Sequence, residues 1–393
     1  MRALLHTAGE RVELRCAVPW LAAVLAEGAG GQLTAADPGP PDVRVTVEPV
    51  TDAFDVRGWE VLTRGAWRRQ GQVIMQNACS SGLDLLVTAA TPTLEITARW
   101  RPAATVRAAT AVLRARSRLL LRAVLLQYPA LWRSQQRGRV PLHASVCGTG
   151  GSAGSAAAQE SCGKGGRVVL LAGPGGTGKS TLVTGELARG AVATCDNLCV
   201  TDGHTVWGLA EPLRVAAATR GRPAGPGGVT GPGGVTGAGA GPSAPGRPHG
   251  RRMPHGRREM PWPGRAECLV PDYLAVLARG NGDAPEVTAC DPAEAASALA
   301  AGTYMAGELR RYWAFAATLA LGTGTGDPHP GIREGAAALS SGLPCLKIIL
   351  GSHPGPALRE VLDAGLPGAR PAAGGRGTES SLLGTAADTG VSA

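Results

Sequence analysis

The sequence predicts an α/β protein whose core is organised round one strand, glycine-rich loop and helix. A small α+β unit precedes that core, and segments too poor in apolar residues to fold interrupt it. Three observations predict this. Valines alternate with polar residues early in the chain, and a Gly-rich octapeptide lies between an apolar strand and a helix. Gly (58) and Pro (30) together take 88 of 393 positions, concentrated in a few tracts. Such tracts read as disorder, and they leave normally patterned stretches elsewhere.

The elements follow in chain order. Asp42 to Glu48 (DVRVTVE) sets Val43, Val45 and Val47 against polar neighbours, and Leu94 to Trp100 (LEITARW) repeats the pattern, so both read as half-buried strands. Trp59 to Leu62, Gln72 to Met75 and Leu83 to Val87 are weaker strands between Gly and Ser turns, and a small antiparallel sheet is expected. Pro102 occupies a helix-start position, and the Ala, Leu and Arg-rich run to about Leu126 is the longest helical signal. A first domain, 1–135, is expected to close there.

The second expected domain covers 136–367. His143 to Cys147 and Arg167 to Ala172 are short apolar strands joined by the small-residue loop Gly148 to Gly166. Lys179 to Arg189 has helical composition and stops at Gly190, a suitable residue just past a helix end. Ala191 to Cys195 is a further strand, and Asp202-Gly203 between alternating runs predicts a hairpin over Leu198 to Leu209. Gly221 to Gly250 contains GPGGVTG twice and almost no large apolar side chain, so a disordered insertion is expected. Asp291 suits the cap of a helix running through Ala301, Thr303 to Leu321 reads as another helix, and Leu346 to Leu350 as a late strand. A disordered tail, 368–393, ends the chain.

The net charge of +9 rests on arginine, since Lys164, Lys179 and Lys347 are the only lysines. Genome base composition accounts for such a bias more readily than a basic surface for an anionic partner does. Nine cysteines lack a CxxC pair or metal-ligand spacing, and the odd count does not suggest a disulfide framework, so a reducing cytoplasm is expected. Glu10, Arg11, Glu13 and Arg15 argue against a signal peptide. Arg114, Arg116, Arg118 and Arg122 break the most apolar helical stretch, which argues against a membrane span.

Gly173, Pro174, Gly175, Gly176, Thr177, Gly178, Lys179 and Ser180 spell GPGGTGKS, the pattern G-x-x-x-x-G-K-[ST], and Thr181 continues into the helix. Glycines let backbone N–H groups curl round phosphate oxygens, and the helix N-terminus adds positive potential. In this setting Lys179 neutralises β/γ charge and the Ser180 hydroxyl ligates Mg²⁺, so ATP and Mg²⁺ are the expected cofactors. Asp196, 17 residues after Lys179, ends the next apolar strand. Parallel neighbouring strands would set it beside the phosphates, as a base for an attacking hydroxyl or a holder of metal through water. His143 opens the strand before the loop strand and would reach the same region. Cys195 and Cys199 read as ordinary core or edge positions.

His143 on a strand, GPGGTGKS after the next strand, a helix ending Arg189-Gly190, five residues, Asp196 and a hairpin together resemble the carboxy-terminal catalytic domain of HPr kinase/phosphorylase. The resemblance covers roughly residues 140 to 215. It implies a phosphoenolpyruvate-carboxykinase-like P-loop kinase core and ATP-dependent phosphorylation of a protein serine. By the same resemblance Asp196 is the base, His143 its partner, Lys179 a catalytic contact, and Ser180, Asp196 and Glu211 the metal set. This chain departs from the family by having Asp196-Asn197 in place of two consecutive aspartates. Glu211 with Arg214 is a loose counterpart of the family's Glu and Arg. The chain is also similar to kinases found with peptide natural-product genes in GC-rich bacteria. The implied acceptor is therefore a phosphocarrier-like protein or a precursor peptide, with domain 1–135 recognising it or regulating the site.

Arg251, Arg252, Arg257, Arg258 and Arg265, interleaved with His255 and Trp262, are suited to nucleotide phosphates, an acidic peptide, or a solvated loop. No recognition module accompanies them, which disfavours nucleic acid. The sequence allows an oligomer. Its reading is an ATP-dependent serine kinase, and the alternative is a catalytically silent nucleotide-binding switch.

Overall fold

The computed structural model describes residues 1–89, 92–149, 166–216, 251–252, 257–351 and 357–365. The insertion expected at 221–250 and the tail at 368–393 therefore lie outside the described residues.

Strands β1 (Arg2–Thr7) and β2 (Glu10–Cys16) form a hairpin over Ala8-Gly9, both at positive φ. Helix α1 (Pro19–Gly28) then crosses to β3 (Val43–Glu48), which pairs with β2 in parallel. The valines of β3 point into the core and their polar neighbours stay partly open, as the alternation predicts. A meander of β4 (Glu60–Thr63), β5 (Ala66–Arg69), β6 (Gln72–Met75) and β7 (Leu83–Ala89) follows. Strand β8 (Leu94–Trp100) returns between β7 and β3. The expected small antiparallel sheet is thus an eight-stranded mixed sheet in the order β1-β2-β3-β8-β7-β6-β5-β4. The helical crossover by α1 permits the parallel β2/β3 join, and the meander carries the chain back for the parallel β3/β8 join. Glu13, one of the two acidic residues that argue against a signal peptide, bonds Arg15 on its own strand and Arg2 and Arg44 on the neighbouring strands.

The long helical signal breaks into α2 (Ala104–Val112), α3 (Arg114–Arg122), a π-helical turn at Ala123–Gln127 and α4 (Tyr128–Gln136). It runs beyond the expected end near Leu126. Pro129 has no N–H for the normal i→i−4 bond, so the widened turn falls just before it.

The second half builds a six-stranded sheet, order β12-β10-β11-β19-β21-β20. It follows β9 (Val140–Leu142) and comprises β10 (Ser145–Thr149), β11 (Arg167–Ala172), β12 (Ala193–Cys195), β19 (Tyr273–Arg279), β20 (Glu286–Ala289) and β21 (Cys345–Leu350). Strands β11, β19 and β21 are parallel and almost wholly apolar, as strands covered on both faces must be. Helices α5 (Lys179–Ala188) and α9 (Leu358–Gly365) cover one face, packing Val183 and Leu362 into its cluster. On the other face α6 (Pro292–Met305) and α8 (Ile332–Ser341) contribute Leu299 and Leu339.

Two smaller sheets flank this layer. One holds β9, the hairpin β13 (Cys199–Thr201) and β14 (Val206–Gly208), and β18 (Cys268–Leu269). The other holds β15 (Leu213–Ala216), β16 (Arg251–Arg252) and β17 (Arg257–Met260). Asp291 caps α6 by accepting from the N–H groups of Ala293 and Glu294, and α6 runs to Met305 rather than Ala301. The expected helix at 303–321 is displaced to α7 (Arg310–Thr323), after a break at Ala306 to Leu309 that contains Gly307.

Helix α7 does not join the second sheet. It packs on β5 and β6 of the first, and Tyr312, Phe315 and Leu319 enter the same core cluster as Leu14, Val45 and Trp132. The eight cysteines among the described residues are free thiols. Among the described residues no helix is long and apolar enough to cross a membrane.

Candidate functional site

Strand direction assembles the site. Strands β10 and β12 pair antiparallel, as do β10 and β11, so β11 and β12 run the same way with β10 between them. The expectation of parallel neighbours for the Asp196 strand is corrected here. Two antiparallel steps bring the ends of β11 and β12 and the start of β10 to one edge. That edge carries Gly173, Asp196 and His143. His143 itself does not open a strand but sits in the joint between β9 and β10.

The loop after β11 has Gly173, Gly176 and Gly178 at positive φ. A side chain at Gly173 would also place its Cβ 2.8 Å from the Leu277 carbonyl oxygen. Positions 175 and 176 face open space, with nothing within 4 Å of an added Cβ. Thr177 Oγ1 donates to the Pro174 carbonyl at 2.9 Å, tying the loop shut. Buried Lys179 donates its Nζ to the carbonyls of Gly173 (2.6 Å) and Pro174 (3.2 Å), so its ammonium lies under the loop.

A cavity of about 630 Å³ opens over this loop, within the usual range for small-molecule sites. Gly173 to Gly176, Gly178 to Thr181, His143, Asp196 and Asn197 line it, with Arg214, Arg279 and Glu308. Helix α6 forms the opposite wall through Ala298, Ala301, Gly302 and Met305. Two expected members do not line it: Thr177 closes the loop, and Glu211 lies wholly buried behind Arg214.

Asp196 is buried, and burial pushes its carboxyl up to about 7; the Ser180 hydroxyl bond opposes the rise and nearby Glu211 adds to it. Its Oδ1 has no hydrogen-bond partner among the described residues. Ser145 Oγ donates to the Asp196 carbonyl at 2.6 Å and fixes the strand end. His143 Nε2 lies 3.1 Å from Asn197 Oδ1. With that oxygen accepting, the ring proton is on Nε2 and Nδ1 is left a free acceptor. Burial, then the Lys179 charge, hold the imidazole below its ordinary value, which keeps it neutral.

Behind these groups runs an ion-pair chain whose inner member, Glu211, is buried. Arg214 bonds Glu308 at 3.0 Å and Glu211 at 3.3 Å. Burial pushes Glu211 up, whereas Arg214 holds Glu308 below the usual carboxylate range against the opposing effect of burial. Sequence reasoning missed Glu308 because it follows Arg214 by 94 residues, in the break between α6 and α7. Arg279 at the end of β19 was missed as well, and no local spacing marks either.

Two members of the basic stretch, Trp262 and Arg265, make structural bonds. Arg265 donates to the carbonyls of Thr194, His6 and Gly208, which occupies it away from any phosphate. Trp262 Nε1 donates to the Glu211 carbonyl at 2.6 Å. His255 lies outside the described residues.

The donor set fits a magnesium nucleotide. A glycine loop with open space, a lysine beneath it, a hydroxyl at Ser180 and an unpartnered Asp196 oxygen suit phosphates and a hard cation that keeps several waters. Among the described residues no group of three His, Cys, Asp or Glu could hold a metal by protein ligands alone. No protein-family model matches the chain, and no curated protein matches it either.

Proposed function

We propose that the chain is an ATP-dependent kinase that transfers the γ-phosphoryl group to a hydroxyl, a serine's, on a protein or peptide acceptor. One observation carries the reading: a buried carboxylate with an unpartnered oxygen, Asp196, shares a cavity and a hydrogen bond with the Ser180 of a glycine phosphate loop. The loop amides and Lys179 bind the β- and γ-phosphates and orient them. Ser180 and Asp196 would hold magnesium, which when bound neutralises developing phosphate charge. Asp196 accepts the acceptor's proton as the hydroxyl oxygen bonds the γ-phosphorus, and the bond to the β-phosphate oxygen breaks to release ADP. His143, neutral and fixed by Asn197, positions the neighbouring Asp196-Asn197 turn.

The test pairs two variants with nucleotide titration and a transfer assay. Lys179→Ala is expected to lose nucleotide binding with the fold retained. Asp196→Asn, if Asp196 is the base, binds MgATP nearly normally yet loses transfer by roughly 10²–10⁴-fold. If Asp196 chiefly anchors the metal, Mg²⁺-dependent affinity falls too. Wild-type transfer by either variant would sink the reading. The silent switch is favoured by Asn197, which stands where the resembling family has a second carboxylate; tight MgATP binding with no acceptor-dependent ADP would select it.

A further inference from the structure

A second cavity, about 590 Å³, lies against the first, and Arg214, Gly307 and Glu308 line both. We propose that this second cavity holds the acceptor: a peptide segment carrying acidic and apolar side chains beside the hydroxyl that is phosphorylated. The proposal rests on the kinase reading and names its substrate class.

Charge complementarity carries it. Arg116, Leu119 and Leu120 of α3 line the cavity at positions 0, 3 and 4 of one helix face, and Arg311 lines it from the first turn of α7. Arg116 is exposed and Arg311 half-buried. No carboxylate pairs with the side chain of either among the described residues, whereas the other two lining arginines are committed. Arg122 bonds Glu259 at 2.7 Å, and Arg214 bonds Glu308. Two unpaired guanidinium groups flanking two half-buried leucines call for carboxylates flanking an apolar side chain.

Position argues the rest. Gly307 shares the wall with Arg214 and Glu308, and nothing lies within 4 Å of a Cβ built at Gly307, so open space borders the wall where the cavities meet. A side-chain hydroxyl entering at this point faces the Asp196 cavity. The π-helical turn at Ala123–Gln127 supplies Ala123 and Gln127 to the floor, and such turns recur at functional sites.

The test uses short fluorescein-labelled peptides with one serine among Asp, Glu and Leu. A matched set replaces the acids by Lys, and another by Asn and Gln. Binding is read by fluorescence anisotropy without nucleotide. The acidic peptide is expected to bind tightest, and the Arg116→Glu/Arg311→Glu double variant to bind it about 10- to 100-fold more weakly. The same variant should bind the Lys peptide more tightly than the unmodified chain does. Arg116→Gln/Arg311→Gln, milder in charge, should fall between them, and thermal melting verifies that each variant is folded. Equal binding of all three peptides, unchanged affinity in the folded double variant, or preference for a single-stranded oligonucleotide over the acidic peptide would overturn the proposal. Failure of the kinase reading looks different. Then the acidic peptide still binds in an arginine-dependent way, but MgATP does not bind or no phosphoryl group reaches the serine.

Discussion

Asp196 keeps its proton to about pH 7 because its carboxylate is shut away from water, and two consequences follow from the sign of that shift. Its ordinary value is 3.8, so the folded protein binds a proton there more tightly than the unfolded chain. The stability this gives is fully present below the unfolded value and is lost as pH rises through about 7. Asp196→Asn carries no such dependence. The variant's melting temperature, relative to the parent's, should therefore rise between pH 5 and pH 8; a difference that is flat across that range would mean Asp196 is not buried as described. The second consequence concerns transfer. On the proposed kinase function the base must be ionised to accept a proton, so kcat/KM, which reports the free protein, should climb as pH passes about 7. Burial, then the Lys179 charge, hold the His143 imidazole below its ordinary value, so it is neutral as pH rises through about 7.

The glycine loop separates backbone strain from ligand space at two of its glycines, Gly173, which the sequence pattern fixes, and Gly175, which it leaves free. Gly173→Ala forces a side chain onto φ +148 and against the Leu277 carbonyl, a strain on the order of 1–3 kcal/mol. It should lower both the melting temperature and nucleotide affinity. Gly175→Ala meets nothing within 4 Å and needs no unusual φ, so stability should hold while the added methyl intrudes on the space the proposed function gives to phosphate oxygens. If Gly175→Ala binds MgATP like the parent, the open space over the loop is not the phosphate site. This loop was legible in the sequence because strand, glycines and helix are contiguous. The Asp196 strand end was readable from spacing, though the antiparallel β10 between it and β11 was not. Glu308 and Arg279 escaped because tertiary packing alone brings them in. Strands β1 and β2 escaped too, since their charged residues read as evidence against a leader rather than as ion-paired members of a sheet in which Glu10 and Glu13 are buried.

At the scale of the molecule, the break between the two expected domains is crossed by the core itself. Tyr312, Phe315 and Leu319 of α7, with Leu198, Val200 and Leu209, share one cluster with the first sheet. Tyr312 Oη also donates to Gln135 at 2.9 Å, and Tyr128 Oη to the Glu308 carbonyl at 2.9 Å. Arg139 completes the seam, stacking on Trp207 at 4.0 Å and bonding Glu10 at 3.0 Å. The two tyrosine bonds have a bearing on the site, because they fix the start of α7 and hence Glu308 against Arg214. Burying a large apolar side chain contributes about 1.5–3 kcal/mol. The three α7 residues together then reach about 5–9 kcal/mol, comparable with the roughly 5–15 kcal/mol that keeps a domain folded. Residues 1–135 produced alone should accordingly lack a cooperative thermal transition, and a synthetic peptide covering 306–323 should bind the fragment and restore part of it. A sharp transition in the fragment by itself, followed by near-ultraviolet circular dichroism, would make α7 an accessory to a self-sufficient sheet. In that outcome Tyr128 of α4 and Tyr312 of α7 would hold Glu308 at the wall between the two cavities without α7 being needed to fold the sheet.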